Sequence, residues 1–158
     1  MALDDDRWLV IDHLSANEPH HYTLHWLIAD GEYGIQKPAS GFGLWLVPTS
    51  TSKQIDTKLN IQMGLLEGKG NFSLIRADAN SMQGWRSRYY GHKEPALSVL
   101  LETDQPNVTF WTFFGFENDV VEKTGNSLRV RSQMINLEEI KWGCPKSELG
   151  SPSKHPQG

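Results

Sequence analysis

Ile55-Asp56-Thr57-Lys58-Leu59-Asn60-Ile61-Gln62-Met63 sets Ile, Thr, Leu, Ile and Met against Asp, Lys, Asn and Gln in strict alternation. Side chains on a strand point to opposite faces in turn, so this period of two predicts a half-buried β-strand. On its C-terminal side, Glu67-Gly68-Lys69-Gly70-Asn71 reads as a hairpin turn, because glycine supplies the positive φ that tight turns need. Phe72–Arg76 (FSLIR) is then expected to return antiparallel to the first strand. On its N-terminal side, Gly43–Val47 (GLWLV) is a strand stopped by Pro48 and the polar stretch Thr49–Lys53. Asp30-Gly31-Glu32 and Gly34 mark a turn before it, and His21–Ile28 (HYTLHWLI) is a strand before that. The turn cluster Ser15-Ala16-Asn17-Glu18-Pro19 separates it from an opening strand, Arg7–His13 (RWLVIDH).

Further along, Ala77–His92 is long and irregular. Ala96–Glu102 (ALSVLLE) and Val108–Phe116 (VTFWTFFGF) read as two strands joined through Asp104-Gln105-Pro106-Asn107. Leu128–Arg131 and Met134–Leu137 are short strands, and Leu137–Trp142 fits one helical turn. Strands thus recur every ~10–15 residues with turn signals between them, which favours an antiparallel sandwich over βαβ units. The expected fold is all-β: an antiparallel β-sandwich, partial or complete, with little or no helix. Residues 1–143 read as a single domain. Beyond Cys144 the chain is Pro, Ser, Gly and Lys without periodicity, so 144–158 read as a disordered tail.

The chain has 158 residues and is 38% hydrophobic, with six Trp, six Phe and four Tyr to anchor a core. Its single cysteine, Cys144, excludes an intrachain disulfide. Met1–Arg7 is acidic and carries no apolar h-region, so no signal peptide is expected. No apolar run approaches the ~20 residues of a membrane span, so no membrane partner is expected. The formal net charge of −4 does not suggest a nucleic-acid partner.

Several clusters carry candidate chemistry. His20, His21 and His25 form H-H-x-x-x-H. On a helix, His21 and His25 would share a face and could hold a metal. On a strand they share a face but stand about 13 Å apart, far beyond a zinc–nitrogen bond of about 2 Å. The strand reading leaves no metal site and no cofactor, with His25 packed in the sheet and His20 or His21 at its edge. Trp85, Arg86, Arg88, Tyr89, Tyr90, His92 and Lys93 are the one basic, aromatic cluster. Arginine forks match carboxylate and sulfate geometry, and aromatic faces stack on sugar rings. Arg86, Arg88, Tyr89, Tyr90 and His92 are therefore candidate contacts to an acidic glycan. The alternative is a loop folded back on the sheet, with Trp85 and one tyrosine as core anchors. Tyr89 or Tyr90 beside an arginine is also a candidate for proton transfer were its pKa to fall.

Arg129 and Arg131 stand two apart on an expected strand, which places them on one solvated face. Asp4-Asp5-Asp6 reads as a solvated end. Asn71-Phe72-Ser73 and Asn107-Val108-Thr109 match the N-glycosylation pattern. Cys144 has no accompanying His spacing for a nucleophile or zinc site. No G-x-S-x-G, phosphate loop or paired-carboxylate signature is present, so no catalytic residue is assigned.

Gly84-Trp85-Arg86-Ser87-Arg88-Tyr89-Tyr90-Gly91-His92-Lys93-Glu94-Pro95-Ala96, leading into the apolar stretch to Phe116, resembles the C-terminal β-region of heparinase II/III-like polysaccharide lyases. That family carries a G-W-x-S-x-x-Y-G segment, then a small residue after proline, before a hydrophobic strand. The opening Arg7-Trp8-Leu9-Val10-Ile11-Asp12-His13-Leu14 and the strand His21–Leu27 are similar to the family's W-L-V-x-D strand and the His-containing strand after it. The resemblance covers Arg7 to about Leu137. It implies a β-sandwich that accompanies an N-terminal α/α-toroid, and cleavage of uronate-containing acidic polysaccharides by β-elimination. The family's catalytic Tyr and His sit largely in the toroid, and a further His lies in an H-x-H-x-D stretch that this chain lacks. The resemblance therefore implies a distal part of the sandwich, inactive alone, with the toroid as docking partner and an acidic polysaccharide as ligand. Family members are often periplasmic or secreted. The alternative is a non-catalytic carbohydrate-binding or protein-assembly module.

Overall fold

The computed structural model describes residues 1–3, 6–48 and 58–140. Asp4-Asp5, the polar stretch Thr49–Lys53, Ile55 to Thr57 of the alternating segment, Trp142, Cys144 and the expected tail lie outside the described residues. The strands are β1 (Trp8–Ala29), β2 (Gly31–Gln36), β3 (Phe42–Pro48), β4 (Leu59–Leu65), β5 (Asn71–Arg76), β6 (Trp85–Arg86), β7 (Glu94–Phe116), β8 (Val121–Thr124), β9 (Ser127–Val130) and β10 (Gln133–Asn136). One 3₁₀ turn, Leu137–Glu139, follows β10 where a helical turn was expected. Every pairing is antiparallel, and the chain is all-β. Among the described residues no helix is long and apolar enough to cross a membrane.

β1 and β7 form one long ribbon, in register from Trp8 opposite Phe114 to Ala29 opposite Ala96, with a slip between Ser15 and His20. On its other edge β7 divides its partners. Leu97–Glu102 pairs with β5, and Phe110–Phe116 pairs with β4, which continues to β3 and β2. The ribbon therefore belongs to two half-sheets, β1-β7-β5 and β1-β7-β4-β3-β2. Leu97, Val99 and Leu101 of the first pack with Leu44, Leu46, Ile61, Met63 and Phe110 of the second in one buried cluster. Trp26 of the first sits edge-on to Phe114 of the second, centroids 5.0 Å apart, and its indole N–H donates to Thr112 Oγ1 at 3.0 Å. The ribbon thus closes on itself as a β-sandwich.

A third layer, β8-β9-β10, covers the outer face of the second half-sheet. Leu9, Trp111 and Phe113 meet Val121, Leu128, Val130 and Leu137 in a second buried cluster. Phe110, Trp111, Thr112 and Phe113 are consequently all buried, and a strand covered on both faces reads as an unbroken apolar run.

Both faces of β4 are buried as well, which corrects the half-buried expectation. Asn60 and Gln62 are 3% and 2% exposed. Buried amides need partners, and the turn between β7 and β8 supplies them for both NH₂ groups and for Gln62 Oε1. Both side chains donate to the Asp119 carbonyl, at 2.6 and 2.7 Å, and Gln62 Oε1 accepts from the Val121 N–H at 3.1 Å. The Asp119 carboxylate accepts from Arg7 Nε at 2.7 Å and from the Phe116 N–H at 2.8 Å. Asp119 thereby ties the N-terminal segment, β4, β7 and β8 together.

Other boundaries also differ from expectation. Ser15–Pro19 is not a turn; it lies within β1 at the register slip. Asp104–Asn107 lies inside the continuous β7, and Gly31–Gln36 is a strand. Phe72–Arg76 pairs with β7 rather than with Leu59–Met63. Gly68 takes the expected positive φ of 82°, but the turn carries the chain from one half-sheet to the other. Arg131 is off the strand in the β9–β10 turn at φ 55°, so it does not share a strand face with Arg129. Arg129 pairs instead with Glu122 across β8 and β9.

Candidate functional site: a basic, aromatic hairpin

The stretch from Ala77 to Glu94 is built on two short returns. The Ala77 N–H donates to the Gly84 carbonyl at 2.9 Å, and the Asp78 N–H donates to the Gln83 carbonyl at 3.2 Å. Gly84 is buried at φ 74°, and a Cβ there would stand 2.4 Å from the Ala77 nitrogen, so only glycine fits. Its N–H donates to Ser98 Oγ at 2.8 Å, and its carbonyl accepts from the Ala96 N–H at 2.8 Å. These bonds seat the segment on the outer face of the first half-sheet. β6 then pairs with the start of β7, Trp85 opposite Pro95 and Arg86 opposite Glu94. Residues 87–93 form the tip.

Pairing of β6 with β7 places two guanidiniums on one carboxylate. Arg86 Nε and Arg88 Nε both donate to Glu94 Oε1, at 2.5 and 2.7 Å. Burial pushes the Glu94 carboxyl up, and the two guanidiniums outweigh it and hold the group below its ordinary value. Trp85 donates its indole N–H to the Asp78 carbonyl at 2.8 Å, and the Lys93 ammonium lies 4.1 Å from its ring centroid, a cation–π arrangement. The Tyr89 and His92 rings lie 4.8 Å apart. Ser87 Oγ donates to the Tyr89 carbonyl at 2.7 Å, which shapes the tip. Tyr89 is 64% exposed and Tyr90 is fully exposed. Trp85 is therefore the anchor of the loop, and neither tyrosine is.

Beside the hairpin, Arg76 grips Asp30 through Nε and a terminal nitrogen, at 2.8 and 2.6 Å. The Arg76 hydrogen bond outweighs partial burial and holds the Asp30 carboxyl below its ordinary value; Arg86 adds a smaller attraction. Sequence reasoning assigned Arg86, Arg88, Tyr89, Tyr90 and His92; the hairpin brings Arg86 and Arg88 together on Glu94 and Tyr89 against His92, and leaves Tyr90 exposed. It missed Glu94, Asp30 and Arg76. The only signal for Glu94 was an acid placed where a hairpin from Arg86 would return.

The histidines fall elsewhere. His21 Nδ1 lies 2.8 Å from Asp104 Oδ1 and its Nε2 lies 3.5 Å from Glu102. His25 Nε2 lies 3.1 Å from Ser98 Oγ, and His20 stands edge-on to Tyr22. Among the described residues no three His, Cys, Asp or Glu side chains are placed to share a metal ion. A separate cleft of about 250 Å³ is lined by His13, Glu67, Asn107, Thr109, Asn126 and Glu138 over Leu66, Val108 and Leu137. His13 Nδ1 there meets Thr109 Oγ1 at 2.9 Å.

No protein-family model, curated protein or solved structure matches this chain, so the likeness to heparinase II/III-like lyases rests on the residues quoted for it.

Proposed function

We propose that this chain is the β-sandwich portion of a heparinase II/III-like polysaccharide lyase that contacts an acidic glycan through the Trp85–Lys93 hairpin and is inactive alone. The observation that carries the reading is the hairpin tip. Arg86 and Arg88 converge on Glu94, and the same short hairpin carries Lys93 over Trp85 and two exposed tyrosines. Guanidiniums meet carboxylates and sulfates in bidentate fashion, and exposed tyrosines offer flat apolar faces to sugar rings. Catalysis of β-elimination needs a base at the uronate C5 and an acid at the leaving oxygen, held together in one cleft. In this reading those groups come from the toroid.

A free-standing binding module is the second reading, and one feature weighs against it. Trp8 and Leu14, 52% and 41% exposed, lie along β1, whose outer edge pairs with no named strand and is met by the N-terminal residues only at the Ala2–Trp8 bridge. Trp8 stands opposite Phe114, against which the half-buried Trp26 packs. An apolar seam on a sheet edge suits a docked partner better than open water. The test is an ultraviolet assay for unsaturated products on heparin, heparan sulfate, alginate and chondroitin, run beside a binding titration. The expected result is salt-sensitive binding without turnover. Turnover by the chain alone, or no binding to any of the four, would overturn the proposal.

A further inference from the structure

We infer that Glu94 is an internal competitor at the hairpin, occupying on Arg86 and Arg88 the place that a ligand's carboxylate or sulfate would take; this rests on the glycan-contact reading above. Both arginines spend their Nε–H on the same oxygen of Glu94. Arg88 is 61% exposed and Arg86 27%, while Glu94 is 22% exposed. The guanidiniums are therefore within reach of solvent, and the carboxylate that holds them is the more enclosed group. Asp30 does the same to Arg76 beside them, with two hydrogen bonds.

The charge balance follows directly. Arg76, Arg86, Arg88 and Lys93 share the site with three acids, Asp30, Glu94 and Asp78, whose carbonyl holds Trp85, so most of the local positive charge is already answered from within the fold. A single monovalent anion must displace Glu94 or share its two donors, and gains little. A polymer that presents several anions in register also engages Lys93 and the free edges of both arginines, and outcompetes one carboxylate. Glu94 therefore makes the hairpin selective for polyanions over isolated acidic sugars. The guanidiniums hold the carboxyl below its ordinary value, so mild acid does not release the arginines.

The experiment compares the full chain with Glu94→Gln, which keeps shape and a hydrogen-bond acceptor but removes the charge. Each is titrated with heparin and with monomeric glucuronate over a range of salt. A unit charge a few ångströms away in a largely aqueous setting changes affinity by about fivefold. Glu94→Gln should therefore tighten heparin binding by about fivefold, steepen its salt dependence by roughly one released counterion, and make glucuronate binding measurable. Arg88→Ala in the Glu94→Gln background should reverse the gain. Thermal melts of both variants separate misfolding from lost contact. Unchanged or weaker heparin binding by a folded Glu94→Gln chain, with the wild type binding, would overturn the role of Glu94 and leave the glycan reading standing. No binding by either chain would overturn both.

Discussion

Single side chains in this molecule are set by partners far away in sequence. His21 meets Asp104 across 83 residues at 2.8 Å, with Glu102 at 3.5 Å. The Asp104 hydrogen bond raises the imidazole pKa above its ordinary value; slight burial works against it, and Glu102 adds to it. A proton bound more tightly in the folded state stabilises fully below the unfolded pKa of about 6.5 and is lost as pH rises through the folded pKa. His21→Gln should therefore lower the melting temperature more at about pH 5 than at about pH 8.5. An equal loss at both pH values would mean that the two carboxylates do not hold the proton. The strand period was enough to place His21 and His25 four positions apart on one strand, because spacing on a strand is local geometry. The acidic partners were not legible, because the register between β1 and β7 is not written in either strand alone. Glu94 was hidden for a related reason, since only the pairing of β6 with β7 reveals that it faces Arg86.

At the scale of elements, β7 decides the architecture. Its C-terminal half was legible as a strand from the run Val108–Phe116, whereas the burial of both its faces appears only with the third layer. The continuity of β7 was not legible. Pro106 and Asn107 carry turn chemistry, yet Pro106 falls at the register slip opposite Ala16–Pro19, between the pairs Asn107–Ser15 and Gln105–His20. Proline is tolerated there because no ladder bond needs its missing N–H. β5 was assigned to the wrong neighbour for the same reason: its turn was readable, but the sheet it returns to is a long-range choice. The close packing of β7 on β4 gives a direct test. Gly64 lies opposite Trp111, and a Cβ on it would stand 2.7 to 3.0 Å from the buried indole. Gly64→Ala must shift that ring within a filled layer, which should cost about 1–3 kcal/mol. Urea denaturation reads this directly, and a loss below about 0.5 kcal/mol would mean that the indole yields freely.

Over the whole molecule, one folded ribbon supplies the rim of both half-sheets, because β1 borders each of them. The two main layers were legible from the recurrence of strands, whereas the third layer was half hidden. Val121 is the only apolar residue of β8, too little for a periodic signal, yet it is buried at 1%. The Asp119 turn and the polar pair Asn60 and Gln62 bring β8 into place, and polar residues in a strand were read as its wet face. Beyond the Ala2–Trp8 bridge no named strand pairs with the outer edge of β1, and the inner faces of both half-sheets reach solvent there through Trp8, Leu14 and the half-buried Trp26. If that seam is where a second domain docks, it should be separable from stability. Trp8→Lys combined with Leu14→Lys changes two exposed positions, so the unfolding free energy should move by about 1 kcal/mol or less. The wild-type chain should bind an environment-sensitive apolar dye while fully folded, and the double variant should lose most of that signal. Retained stability with unchanged dye binding would mean that the apolar surface lies elsewhere, and the docking face would then have to be sought along the β2 edge, where Ile35 is 53% exposed. A large loss of stability would instead show that Trp8 and Leu14 belong to the closed core, which would favour the free-standing module over the severed sandwich.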